Sequence, residues 1–234
     1  MPVNLSQFVT GTFNSASSGN VLFSSAVSSL SLIVAHIANF FTGVATFTNV
    51  IDNVNANAYT VGCQSTMASD TIVHGYIAYK AGISSGAAAS TYRVSVNFSA
   101  ANNWSMGAVE YTGGAWTVGS TKSANGTSSS PSPGAVTASS TPVLIVMNAM
   151  YNSAGTLFNS TINTGAWRVT VDAGNVNQVL AIADSTNSSL TQSPTFGLTT
   201  STRWLTNAMI FMGLGSGGAA AVRNPFTFTL TGVV

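Results

Sequence analysis

Apolar and polar residues alternate with period two in one stretch after another, and this rhythm restricts the chain to strands. Tyr92, Val94, Val96 and Phe98 fall on one side while Arg93, Ser95 and Asn97 fall on the other. Trp167, Val169 and Val171 alternate with Arg168, Thr170 and Asp172, and Phe226, Phe228 and Leu230 with Thr227, Thr229 and Thr231. Successive side chains of a strand point to opposite faces, so each run predicts an antiparallel strand with one buried and one solvated face. Val143 to Met150 and Met209 to Met212 are apolar on both sides. They read as central strands covered on both faces, a neighbouring subunit being one candidate cover. No charged amphipathic helix of convincing length is present; Ala87 to Ser90 and Ser185 to Leu190 allow at most short helical turns.

On the order of a dozen such runs predict an all-β fold, two antiparallel sheets packed as a jelly-roll-like or lectin-like sandwich. All 234 residues fit one domain of this class. Residues 20–234 form the sandwich, and residues 1–19 an arm or, through Phe8-Val9-Thr10-Gly11-Thr12-Phe13, its first strand. Asp52-Asn53-Val54-Asn55-Ala56-Asn57 is an Asx-rich turn, Ser120 to Ser140 a long surface connection, and Gly213 to Gly218 a further break. Leu30 to Phe47 is interrupted by Ser31, His36, Asn39, Thr42 and Gly43, and reads as two core strands rather than a membrane span.

Charge decides which chemistry the sandwich can host. Only 5% of the residues are Asp, Glu, Lys or Arg, and the net charge is +1. An ordinary domain carries about a quarter. No field draws this chain to nucleic acid or anionic lipid, and little repulsion keeps copies of it apart. The N-terminus shows no secretory pattern, which reads as synthesis in a host cytoplasm, and the Asn-x-Ser/Thr triplets then read as composition. Cys63 is alone, so no internal disulfide forms; it reads as a small buried hydrophobe.

Catalytic constellations are hard to build from this material. Gly82-Ile83-Ser84-Ser85-Gly86 matches the nucleophile-elbow spacing, but both histidines, His36 and His74, precede Ser84, against the order a hydrolase of that type needs. Two distant histidines make no metal site, and the loop 52–57 departs from calcium-loop spacing at Val54. Asp172 and Asp184 read as turn or capping residues, and Glu110 should face away from Val109 and Tyr111, paired with an Arg or a neutral donor. No catalytic residue, metal site or cofactor is expected. Trp104, Trp116, Asn53 and Asn55 are the candidates for a ligand site or an interface. Trp116, beside Gly113-Gly114, is the better candidate for exposure, although core packing is the commoner fate of a tryptophan.

An ordered set of segments resembles a phage and bacterial β-sandwich family. It comprises Ser31 to Ala35, the hairpin Ile51 to Thr60, Ile77 to Gly82, Tyr92 to Ser99, Ala108-Val109-Glu110-Tyr111-Thr112-Gly113 and Thr141 to Val146. The resemblance implies a jelly-roll or concanavalin-like sandwich in virion or cell-surface proteins without catalytic residues. The expected role is that of a bacteriophage virion structural protein, a head decoration or cement protein or a tail fibre or spike component. Its partners would be copies of itself and the major capsid or tail proteins, on the particle surface. The alternative is a carbohydrate-binding adhesin using Trp and Asn side chains.

Overall fold

The computed structural model describes residues 3–40, 45–54, 58–67, 73–83, 91–152, 169–175, 178–187 and 189–214. In chain order the strands are β1 (Asn4–Leu22), β2 (Leu32–Phe40), β3 (Phe47–Asp52), β4 (Thr60–Thr66), β5 (Val73–Ala81), β6 (Arg93–Thr112) and β7 (Ala115–Ser128). There follow β8 (Val136–Thr137), β9 (Val143–Asn152), β10 (Val169–Asn175), β11 (Gln178–Asn187), β12 (Thr191–Gln192) and β13 (Thr202–Leu214). No helix occurs among the described residues.

The fold is all-β, two main antiparallel sheets packed face to face. The first runs β1-β6-β2-β5-β4, with β3 also paired to β6, and the second runs β10-β11-β9-β13-β7. Alternation dictates which side chains meet between them. Leu32, Val34, Ala38 and Phe40 of β2, Val109 and Tyr111 of β6, and Ile77 of β5 face Leu144, Val146 and Met150 of β9 and Leu205, Met209 and Phe211 of β13. Each large apolar side chain so buried contributes about 1.5–3 kcal/mol.

The first sheet also folds over its own outer face. The early half of β6 pairs with β3 and the end of β1, while its later half pairs with β2 and the beginning of β1. Ile33, Ala35 and Ile37 of β2 thereby share a second core with Val94, Val96 and Phe98 of β6. Phe47 of β3 stacks on Tyr76 of β5 at 4.5 Å between ring centroids, although these strands do not pair. The bend is absorbed in β1 by register shifts between Phe13 and Ala16 and between Ala16 and Ser18, next to Ser15 with φ of 50°.

Three expectations change in detail. Val143 to Met150 and Met209 to Met212 are indeed covered on both faces, but the outer cover is the chain itself: Val136 and Phe196 pack on Ile145, Met147 and Ile210. Ser120 to Ser140 is not a surface connection, because its first part is the end of β7 and its second lies against the second sheet with Pro131, Pro133 and Val136 buried. Backbone bonds from Phe196 N to Pro131 O (2.8 Å) and from Leu198 N to Ser129 O (2.7 Å) hold it there. Ser185 to Asn187 end β11 rather than forming a helical turn. The runs around Trp167 and Phe226 to Thr231, and Ala87 to Ser90, lie outside the described residues wholly or in part; Val169 and Val171 fall in β10.

Candidate functional site

The candidates named from the sequence do not converge. Trp104 is 1% exposed, stacks on Phe13 at 4.0 Å and donates its indole N–H to Ala16 O at 3.0 Å, pinning β1 to β6. Trp116 is 8% exposed and packs in the core between the sheets, so the glycines before it do not bring it to the surface. Trp204 is buried as well and donates to Ser128 Oγ at 3.0 Å. The Asn53 amide is spent on backbone: Nδ2 donates to Thr91 O and Oδ1 accepts from Arg93 N, both at 2.7 Å. Asn55, Ser84 and Trp167 lie outside the described residues.

Asp52, Glu110 and Asp184 are likewise absorbed by the fold, while Arg93, Lys122 and Arg203 are exposed. Asp52 caps its own turn by accepting from Val54 N at 3.0 Å and also accepts from Tyr92 OH at 3.0 Å; the Tyr59 and Tyr92 hydroxyls lie 3.1 Å apart. Burial raises both phenols well above their ordinary range, so both stay protonated at neutral pH. Asp184 is not at a strand end but within β11, buried, accepting from Tyr111 OH at 2.6 Å across the two sheets. Glu110 does face away from Val109 and Tyr111. Its buried carboxylate accepts from three neutral donors, Gln7 Nε2 (2.7 Å), Ser28 N (2.7 Å) and Ser31 Oγ (2.6 Å). Gln7 also bonds Ser25 N and Ser25 O, which ties the segment after β1 onto β1 itself.

A neutral polar seam crosses the intersheet core. Asn207 Nδ2 donates to Asn148 Oδ1 at 3.0 Å, and Asn148 Nδ2 donates to Tyr76 O at 2.9 Å. Cys63 is buried, as expected of a lone thiol, and its Sγ donates to Lys122 O at 3.1 Å. Burial pushes that thiol up to about 11, the opposite of what a nucleophile needs. His36 is fully buried with no hydrogen-bond partner on either ring nitrogen, and burial lowers it to about 3. His74 bonds Thr66 Oγ1 through Nδ1 at 3.0 Å. Among the described residues no three His, Cys, Asp or Glu side chains come together as a metal site.

What remains is surface. Along β1 the exposed side chains are Asn4, Ser6, Phe8, Thr10, Thr12, Asn14, Ser15, Ser17, Ser18, Asn20 and Leu22; along β7 Thr117, Lys122, Ser123, Asn125 and Thr127 are exposed. These faces carry mostly hydroxyls and amides, with two large apolar side chains, Phe8 and Leu22, and a single charge, at Lys122. Burying such groups against a partner is favourable only where the partner completes their hydrogen bonds, as an added strand or a complementary polar surface does. Sequence reasoning missed the Glu110, Asp52–Tyr92 and Tyr111–Asp184 sets, because each joins strands far apart in the chain. No family model, no curated protein and no solved structure matches this chain.

Proposed function

We propose that the chain is a bacteriophage virion structural protein of jelly-roll type, a head decoration or cement protein or a tail fibre or spike component. It acts through contacts with copies of itself and with major capsid or tail proteins on the particle surface, and catalyses nothing. The observation that carries the reading is the division of labour among polar groups. Asp52, Glu110, Asp184, Cys63, Asn148 and Asn207 are buried and bonded into the fold, while the exposed strand positions are mostly Ser, Thr and Asn, with Arg93, Lys122 and Arg203 the exposed charges on described strands. The ordered segments that resemble phage sandwich proteins point the same way. The adhesin alternative finds no support in Trp104, Trp116, Trp204 or Asn53, whose side chains are engaged in packing or backbone bonds.

Electron cryomicroscopy of particles assembled with and without the chain tests the reading. Regularly arrayed density of sandwich shape on shell or tail, lost on deletion of the coding sequence, is the expected result. Particles identical with and without it, and a chain that never co-sediments with them, would sink the proposal.

A further inference from the structure

The two edges of the first sheet are treated differently. The β4 edge lies against β7 of the other sheet without pairing with it, bonded through Cys63 Sγ to Lys122 O (3.1 Å) and Asn125 Nδ2 to Thr66 O (3.1 Å). The β1 edge, among the described residues, pairs with β6 alone. An unpaired edge is a template for another strand, and soluble proteins blunt it with lysine, proline, inward charges, bulges or short length. Asn4–Leu22 is 19 residues long and contains no charged residue and no proline. Its register shifts lie outside the run Gln7 to Phe13, which pairs without interruption from Glu110 to Trp104. Phe8 in that run is 50% exposed.

We propose that Gln7 to Phe13 pairs antiparallel with the same segment of a second copy of this chain, about a two-fold axis beside Thr10. The inference rests on the self-assembly part of the reading above. Thr10 is the midpoint of the uninterrupted run, and a two-fold that keeps exposed faces together sets Thr10 opposite Thr10 of the second copy. Phe8 then lies opposite Thr12, and Val9 opposite Gly11. Threonine pairs and aromatic–β-branched pairs are favourable cross-strand neighbours. Gly11 suits the register for a separate reason: a Cβ there would press on the Phe13 ring and on Val21 Cγ1, both at 2.9 Å, so the position stays bare and leaves room for Val9 of the other copy. The occupant is a second copy rather than a charged partner because the edge carries no charge to select one. A net charge of +1 also lets identical edges approach.

The test is Thr10→Cys, oxidised mildly and run on a non-reducing gel, with the parent protein as control because Cys63 is buried. Opposed residues in such a pair have Cβ atoms about 4.5–5.5 Å apart, close enough to bridge with slight adjustment. Most of the chain is expected as a disulfide-linked dimer. A charge swap supplies the second arm: T10K and T10E alone each weaken dimerisation roughly tenfold through opposed like charges, and mixing the two restores it. Restoration on mixing cannot come from misfolding. A dimer that neither cross-links nor responds to the swap overturns this pairing and leaves self-assembly by another surface standing. A monomeric parent overturns self-assembly itself. A monomer whose β1 amides exchange slowly with solvent also overturns the pairing, since the chain then covers its own edge.

Discussion

At the level of single residues, stability depends on polar groups that the fold has buried. His36 holds cross-strand positions opposite Ile77 and Gly107, with no charged neighbour in either pair. Its folded value of about 3 lies below the ordinary 6.5, so protons bind the unfolded chain first as pH falls. Stability from this residue is intact above about pH 6.5 and drains away towards pH 3. Relative to His36→Leu, the parent should therefore lose about 3 kcal/mol between neutral pH and about pH 4, read from urea midpoints. An unchanged difference would mean that His36 is hydrated or partnered. Glu110→Ala strands the donors of Gln7, Ser28 and Ser31, and should cost about 3 kcal/mol in the same assay. Cys63 should resist thiol reagents until the protein unfolds, since its thiol is both covered and held high; rapid labelling of the native protein would contradict its placement. Of these roles the sequence told the burial of Cys63 and the direction of Glu110. It withheld the partners, because Gln7 and Glu110 are 103 positions apart.

At the scale of elements, alternation was the legible signal. Tyr92, Val94, Val96 and Phe98 are buried as their spacing predicts, and the twin-sided runs are central strands. Alternation says which face is apolar but not what lies on it, so the folding of β6 back over β5 and the cover supplied by Val136 and Phe196 left no trace in the sequence pattern. Nor did composition separate loop from strand in Ser120 to Ser128, where Ser, Thr, Asn and Gly form the end of edge strand β7. Glycine carries a further element-level meaning that composition hid. Gly107 lies under Ile182 of the opposite sheet, whose Cδ1 occupies the space a Cβ would need. Gly107→Ala should cost about 1–3 kcal/mol by overpacking. Combining it with Ile182→Ala should recover part of that loss, measured as a coupling energy in a double-mutant cycle. Strict additivity of the two would place Ile182 away from Gly107.

At the scale of the molecule, two sheets bury Asp52, Glu110, Asp184 and His36 and show mostly hydroxyls and amides, a few cations and the uncharged β1 edge to the outside. The candidate site legible in the sequence was a set of aromatic and amide residues; the fold spends Trp104, Trp116 and Asn53 on its own cohesion. Exposure could not be read from a tryptophan's neighbours because it depends on which sheet faces that strand. What composition conveyed directly was the scarcity of charge, and that property belongs to the surface as a whole. In the proposed role this surface meets other protein surfaces, beginning with its own. The mass of the purified chain, measured by multi-angle light scattering across a range of protein concentrations, tests it most directly. A mass of at least twice 23.8 kDa is the predicted result, and 23.8 kDa at every concentration would contradict it.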